Sequence, residues 1–208
     1  MTGLLRRSFL MGALAVSLAS ALPLSARADE PDARKFIESL ADQAVVNVAD
    51  QSISETERDQ RFRTLFITSF DIPEIGKSVL ARYWRTATPD QQQDFLKLFE
   101  DMTVLTWAKR FKDYNGEKLE TLSSNREGEH LWTVDSRLKR SQGQPIPIQW
   151  RLRDGAQGLR IIDIVVEGVS MAITYRQDYS SALQGNGGKL DDLLVTMRTK
   201  VDQLKATN

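Results

Sequence analysis

Apolar side chains recur along this chain with two different periods, and the change of period separates helical from strand-forming segments. In residues 32–50 they recur every three or four positions, which predicts an amphipathic helix. Ser54, Asp71 and Thr88 stand where helix N-caps are expected, and each is followed by the same helical spacing. The predicted helices span about residues 32–50, 54–69, 71–85, the 25 residues from Pro89, 170–183 and 189–204.

Between residues 118 and 167 the apolar positions alternate instead, which is the spacing of half-buried strands. Short turns at 141–143 and at Asp154–Gly155 are typical of antiparallel hairpins. One face of such a sheet is apolar, so we expect an α+β fold in which a curled sheet packs against the N-terminal and C-terminal helices. The sheet is predicted to be a four-stranded antiparallel meander with strands at 119–123, 131–140, 148–153 and 160–167.

The first 28 residues have the organisation of an export signal. Leu5 to Leu10 contains an arginine pair, Met11 to Leu24 is modestly apolar, and Ala26-Arg27-Ala28 is a small-x-small cleavage site. The apolar run of about 14 residues is shorter than the ~20 needed to span a bilayer, which disfavours an uncleaved anchor. We therefore expect a twin-arginine signal, in preference to a general secretory one, that is cleaved after Ala28. The mature protein then lies outside the cytoplasm, with 29–208 as a single domain.

The composition excludes several classes of function. The chain has no cysteine, which excludes disulfides, thiol catalysis, haem attachment and cysteine-zinc sites. It has 28 basic and 28 acidic residues, and loss of the three leader arginines leaves a slight acidic excess that does not favour nucleic-acid binding. His130 is the only histidine, so a two-histidine metal site cannot form. We predict no metal and no cofactor, with His130 at the solvated start of a strand.

No catalytic arrangement stands out along the chain. It lacks a G-x-S-x-G elbow, and Gly185 to Gly188 follows a helix, which indicates a helix stop rather than a nucleotide loop. Asp163 and Glu167 lie an even number of residues apart on one strand and so share a face. Shared acid and base work by this pair is one interpretation, and the wet outer side of the sheet is the favoured one. We therefore predict that the protein is not an enzyme.

Two segments resemble a known family. Residues 83–92, with the sequence Y-W-R-T-A-T-P-D-Q-Q, resemble the Y-[YW]-[RK]-x-A-T-P-x-Q-[RQ] segment of the MlaC or toluene-tolerance family of periplasmic lipid carriers. Residues 149–151, Asp163 and residues 166–171 resemble the family's Q-W-R, D and x-E-G-V-S-M blocks, in the same order and at similar spacing. The likeness extends over roughly residues 70–201, which is most of the predicted mature chain.

The resemblance implies an exported carrier with an NTF2-like cone fold, in which acyl chains lie between sheet and helices and the headgroup stays near the mouth. The implied ligand is a phospholipid. The implied partners are an inner-membrane ABC transporter bearing an MCE-domain ring and an outer-membrane complex of a lipoprotein and a porin. A monomeric carrier would shuttle lipid between the two and so maintain outer-membrane lipid asymmetry. Carriers associated with hopanoid biosynthesis have similar motifs, so a hopanoid ligand is an alternative.

The residues themselves are compatible with an apolar cavity. A site for hydrocarbon needs side chains without unpaired polar groups, and the inner sheet face with the apolar helix positions meets that need. The alternative for each side chain is a place in a filled core. Two other classes stay open: an NTF2-like enzyme acting on a hydrophobic small molecule, and an adaptor of the transporter that binds no lipid. The predicted lining residues are Phe66, Leu80, Phe95, Phe99, Met102, Val134, Leu138, Ile148, Trp150, Ile162, Ile164, Val166 and Met171.

Overall fold

Helices flank one antiparallel sheet in the computed structural model, which describes residues 32–185 and 187–206. The predicted leader and its cleavage site lie outside the described residues. The helices are α1 (Ala33–Gln43, continued by a π-helical turn at Ala44–Val48), α2 (Glu55–Ser69), α3 (Ile72–Leu80), α4 (Arg82–Thr86), α5 (Pro89–Trp107, continued by a 3-10 helix at Ala108–Asp113), α6 (Met171–Gly185) and α7 (Leu190–Ala206). The strands are β1 (Lys118–Arg126), β2 (Leu131–Lys139), β3 (Ile146–Gly155), β4 (Gly158–Val166) and β5 (Val169–Ser170).

Three helices begin at the capping residues that the sequence indicates. Ser54 caps α2, Asp71 caps α3 and Thr88 caps α5, in each case through a side-chain oxygen that accepts a hydrogen bond from a backbone N–H three residues later. Each cap satisfies a backbone donor that has no partner within its helix. The predicted starts of these helices are therefore confirmed.

The helix predicted over residues 71–85 is interrupted. Ala81 has a φ of 50° and a ψ of −115°, so α3 ends at Leu80 and a separate short helix begins at Arg82. A positive φ is uncommon for a residue other than glycine, and apolar spacing gives no sign of it. The break separates the buried face of α3 from α4, which has no buried residue.

The sheet is an antiparallel meander in the order β1-β2-β3-β4-β5. Its first four strands are the predicted ones, and the short β5 adds a fifth by pairing with the end of β4. The turn between them is Glu167–Gly168, where both residues have positive φ (51° and 81°), as a two-residue hairpin turn requires. The α+β class, with a curled sheet and flanking helices, is confirmed, and the strand count is five rather than four.

A bulge in β4 changes which of its residues face the helices. Arg151 pairs with Asp163, but the next residue, Leu152, pairs with Ile161, so Ile162 is an extra residue in β4. Ile161 is completely buried in the core, whereas Ile162 is half-buried. Ile161, and not the predicted Ile162, therefore occupies the inner position, because a strict two-residue period does not reveal an inserted residue.

Two clusters of buried side chains hold the layers together. One lies among α2, α3, α5, α6 and α7, where the ring of Phe95 is 5.4 Å from that of Tyr179 and 6.0 Å from that of Phe99. The other lies between the inner face of the sheet and helices α1 and α2. Phe62 and Phe70 pack against both clusters, so the helical layer and the sheet form a continuous apolar interior.

Asp163 lies on the outer side of the sheet, as predicted, but it is shielded from water there. Its side chain is 8% exposed, and its carboxylate accepts hydrogen bonds from the Ser170 hydroxyl (2.6 Å) and the Ala172 backbone N–H (3.0 Å) and pairs with Arg151 (3.3 Å). Ser170 Oγ in turn accepts a hydrogen bond from the Ile173 N–H (3.1 Å). The two side chains cap the start of α6 and fasten it to β4.

Replacing Asp163→Asn is expected to lower the free energy of unfolding by about 1–3 kcal/mol, because the amide cannot accept all the hydrogen bonds that the buried carboxylate accepts. Urea-induced unfolding followed by circular dichroism measures the change. Glu167→Gln is the matched control, since Glu167 is exposed, as predicted, and should alter stability by less than about 0.5 kcal/mol. Equal effects of the two substitutions would contradict the capping role.

Candidate functional site

The inner face of the sheet becomes more exposed towards one end. Cross-strand partners form successive rows along this face: Trp132, Leu152 and Ile161; Val134, Trp150 and Ile164; then Ser136, Ile148 and Val166. Both aliphatic residues of the first row are completely buried, whereas both aliphatic residues of the third row are half-buried. We name the half-buried apolar residues at this end the open face: Leu138, Ile148, Trp150, Ile164 and Val166.

Polar atoms within the open face are satisfied internally. The indole N–H of Trp150 donates to Ser136 Oγ (2.9 Å), and the Ser136 hydroxyl donates to the carbonyl oxygen of Ile148 (3.0 Å). Ser136 is 2% exposed, so this hydroxyl is shielded from water. These hydrogen bonds fix the orientation of the indole. Because the polar atoms are paired with one another, the open face presents apolar groups to a ligand.

Helices α5 and α6 also carry apolar and aromatic side chains that are not fully buried. Met171 is the first residue of α6, directly after β5, and Tyr175 lies one turn later on the same side of that helix. The Tyr175 hydroxyl accepts a hydrogen bond from the indole N–H of Trp107 in α5 (3.4 Å), which links the two helices. Phe111, beyond the end of α5, packs against the cluster that contains the inner face of the sheet.

The predicted lining residues divide into two groups. Five are buried among protein side chains, which is the packed-core alternative: Phe66, Leu80, Phe95, Phe99 and Val134. The other eight are half-buried, and they are the five residues of the open face together with Met102, Ile162 and Met171. The structure thus brings five of the strand residues together on the open face, and it assigns Val134 and the four large helical side chains to the core.

The predicted lining residues do not include Ser136, Tyr175 or Trp107, because apolar spacing alone does not identify them as residues of the site. A signal for Ser136 does exist, because a lone hydroxyl among the apolar alternating positions of β2 indicates a buried hydrogen bond. Tyr175 follows Met171 at helical spacing, which places both on one side of α6. The pairing of Tyr175 with Trp107 depends on the approach of α6 to α5, and neither segment contains a sign of it.

Two surface clefts lie apart from the open face. One, of about 740 Å³, is bordered by the β3–β4 turn and by α2, α3 and α5, and it mixes apolar residues such as Phe70 and Ile72 with charged ones such as Lys97 and Glu100. The other, of about 440 Å³, lies between α3, α4 and α6 and is bordered mostly by charged side chains. None of the thirteen predicted lining residues borders either cleft.

The outer face of the sheet is charged where the inner face is apolar. Glu120 on β1 accepts a hydrogen bond from Arg137 (2.6 Å) and pairs with Lys139 (2.8 Å), and these two cations lower the pKa of Glu120 to about 2. His130 is exposed, as predicted, over 64% of its side chain. This contrast makes the inner face the side of the sheet that can hold hydrocarbon.

Residues 32–185 and 187–206 contain neither a metal-binding cluster nor a membrane-spanning helix. No three His, Asp or Glu side chains of this region are placed to hold a metal ion. Each of its helices is too short or too polar to cross a membrane. Its single buried side-chain polar atom without a partner is Arg58 Nε, and that guanidinium donates through its other nitrogens to the carbonyls of Val48 and Asp50.

The chain is similar in sequence to two bacterial proteins, among others. The toluene tolerance protein ttg2D of Pseudomonas putida is 24% identical over 122 residues, which cover 58% of this chain and 57% of that protein. The chain therefore spans less than two thirds of the length of this relative. The intermembrane phospholipid transport system binding protein MlaC of Haemophilus influenzae is 23% identical over 160 residues, which cover 72% of this chain and 73% of that protein.

The fold is shared with a protein of known structure. The phospholipid-binding protein from Ralstonia solanacearum, determined in complex with a phospholipid, superposes with a TM-score of 0.75 at 18% identity. The match covers 84% of this chain and 99% of that one. The model of the MlaC protein family matches residues 38–199, which include the 83–92 and 166–171 segments and most of the chain. The chain belongs to the MlaC protein family.

Proposed function

We propose that this protein is a periplasmic phospholipid carrier that shuttles lipid between the outer membrane and an inner-membrane ABC transporter bearing an MCE-domain ring. The observation that carries the proposal is the open face, a half-buried apolar surface whose polar atoms are already hydrogen-bonded. Family membership supports the choice of ligand, since one relative is named for phospholipid transport and a protein of the same fold binds a phospholipid.

The chemistry of the ligand explains why a carrier is needed. Two acyl chains expose about 30 methylenes, and transferring each methylene to water costs ~0.8 kcal/mol, or roughly 20–25 kcal/mol for the whole lipid. Crossing the aqueous space between two membranes without protection is therefore negligible. A carrier must replace the hydrocarbon surroundings of the bilayer with apolar protein surface.

The open face can provide this apolar surface because it is incompletely buried. Its side chains are half-covered in the free protein, so an acyl chain laid against them removes further apolar surface from water, at ~25 cal/mol per Å². Met102 and Met171 are unbranched and adapt to chains of different shape. We place the acyl chains between the sheet and α5 and α6, with the charged headgroup at the exposed rim near Val169, which is 54% exposed.

Packing of the helical core supports this arrangement. Phe95, Phe99 and Tyr179 form a cluster of mutually contacting rings, and burial raises the pKa of the Tyr179 phenol, which stays uncharged. These residues keep α5, α6 and α7 together while the sheet side of the molecule accommodates lipid. We therefore assign the predicted lining residues of the helical core to support and those of the open face to lipid contact.

Val166→Asp is expected to reduce the lipid retained by the purified protein by at least about 10-fold, because an acyl chain would have to desolvate an ionised carboxylate at the open face. Organic extraction and mass spectrometry measure the lipid, and the unaltered protein should contain about one glycerophospholipid per chain. The matched control is Val195→Asp on α7, where the side chain is 58% exposed and lipid content should not change.

Thermal unfolding of both variants establishes that each remains folded. Unaltered protein that holds no lipid would favour the adaptor alternative, and a folded Val166→Asp variant with undiminished lipid would contradict the assignment of the site. Extraction of a hopanoid in place of a glycerophospholipid would favour the other carrier alternative.

Export through the twin-arginine route is the second expectation. Replacing Arg6→Lys and Arg7→Lys together should leave the precursor uncleaved in the cytoplasm of a bacterial host that has both export routes, since that pathway reads the arginine pair. Cell fractionation with immunoblotting measures the location, and N-terminal sequencing of the exported unaltered protein should begin at Asp29. Undiminished export of the double variant would show that the general secretory route is used.

A further inference from the structure

An uncompensated group of positive charges lines the cleft between α3, α4 and α6. The group, which we name the basic cleft, consists of Lys77, Arg82, Arg85 and Arg176. Elsewhere many basic side chains are neutralised by carboxylates, as Arg63 is by Glu100 and Asp101. Within the described residues, none of the four side chains of the basic cleft takes part in a salt bridge.

The one carboxylate in the cleft does not offset these charges. Glu74 borders the cleft, but its Oε1 is 3.2 Å from Arg153 Nη2 at the end of β3, so its charge is already compensated. The basic cleft therefore keeps an excess of positive charge in a chain with equal numbers of acidic and basic residues. Like charges that converge on a concave surface repel one another and concentrate a field that attracts anions.

Two of the arginines are held in place by neighbouring groups that carry no charge. Arg176 donates through Nε to the carbonyl oxygen of Ser78 (2.8 Å) and through Nη2 to the Ser78 hydroxyl (2.7 Å). Arg82 lies over the ring of Tyr83, at 4.8 Å from its centroid, and donates to its hydroxyl (2.9 Å). Both guanidinium groups are thereby oriented, and both retain N–H donors for an anion.

We propose that the basic cleft binds a phosphate group, supplied either by a lipid headgroup at a membrane surface or by soluble phosphate. Guanidinium groups donate pairs of parallel hydrogen bonds that match the oxygens of a phosphate, and an ammonium such as that of Lys77 adds a point charge. Ser78 Oγ accepts from Arg176, so the hydroxyl hydrogen of Ser78 can donate to a phosphate oxygen. The volume of about 440 Å³ accommodates such a group together with ordered water.

The basic cleft is separate from the open face. None of its lining residues belongs to the sheet, whereas all five residues of the open face lie on strands. The inference therefore does not depend on the proposed carriage of acyl chains, and the two can fail independently. Lipid content of the purified protein reports on the open face, and phosphate binding reports on the basic cleft.

The first measurement is a titration of the full protein with inorganic phosphate at constant ionic strength, followed by the Nε–H resonances of the arginines in NMR spectra. Saturable shifts are expected for Arg82, Arg85 and Arg176. The second is co-sedimentation with vesicles of phosphatidylcholine alone or mixed with phosphatidylglycerol. Arg82→Gln combined with Arg85→Gln should weaken binding by about 10- to 30-fold, given ~5-fold for each lost charge.

A variant of equal charge serves as the control. Arg140→Gln combined with Lys200→Gln removes two exposed charges that do not border the cleft and should change binding by less than about 2-fold. Shifts with phosphate together with binding to anionic vesicles identify a lipid headgroup as the source, and shifts without vesicle binding identify soluble phosphate. The proposal is overturned if the arginine resonances do not respond to phosphate, or if the two double variants lose binding equally.

Discussion

The incomplete burial of one apolar sheet face is the constraint on which the rest of this structure depends. A five-stranded curled sheet with a charged outer side must place its inner side against helices, and α1 and α2 complete that cover at the end that contains Leu152 and Ile161. At the other end Ile148 and Val166 stay half-buried. A hydrocarbon ligand is the natural complement of such a surface, because it adds apolar contact without requiring a polar partner.

The family-motif residues of the Q-W-R block, together with Asp163, hold neighbouring strands and α6 in position. Gln149 donates to Asp135 (2.9 Å), Trp150 donates to Ser136 and Arg151 pairs with Asp163, so each residue of the Q-W-R block contacts a neighbouring strand. The Asp163 carboxylate then caps α6. These contacts set the position of α6 against β4, and with it one border of the open face, so the motif acts on the site through the geometry of the fold.

Much of the fold follows from the sequence, because periodicity and capping are local. The apolar spacing and the caps at Ser54, Asp71 and Thr88 predict the helices and strands within a few residues. Three features cannot be predicted from the sequence in this way: the positive φ at Ala81, the bulge that puts Ile161 instead of Ile162 at the inner position, and the burial of Asp163. Each depends on tertiary contacts. For the same reason spacing alone does not distinguish the core residue Phe95 from a lining residue such as Ile148.

The central claim is that acyl chains lie against the open face. Isotope-filtered NOE spectra of the lipid-loaded protein, with methyl groups of isoleucine and valine labelled, test it most directly. The account predicts NOEs between chain methylenes and the methyl groups of Ile148, Ile164 and Val166, and none to Val195 on the exposed side of α7. The claim would be contradicted if the acyl-chain methylenes gave NOEs to other surfaces only and none to the methyl groups of the open face.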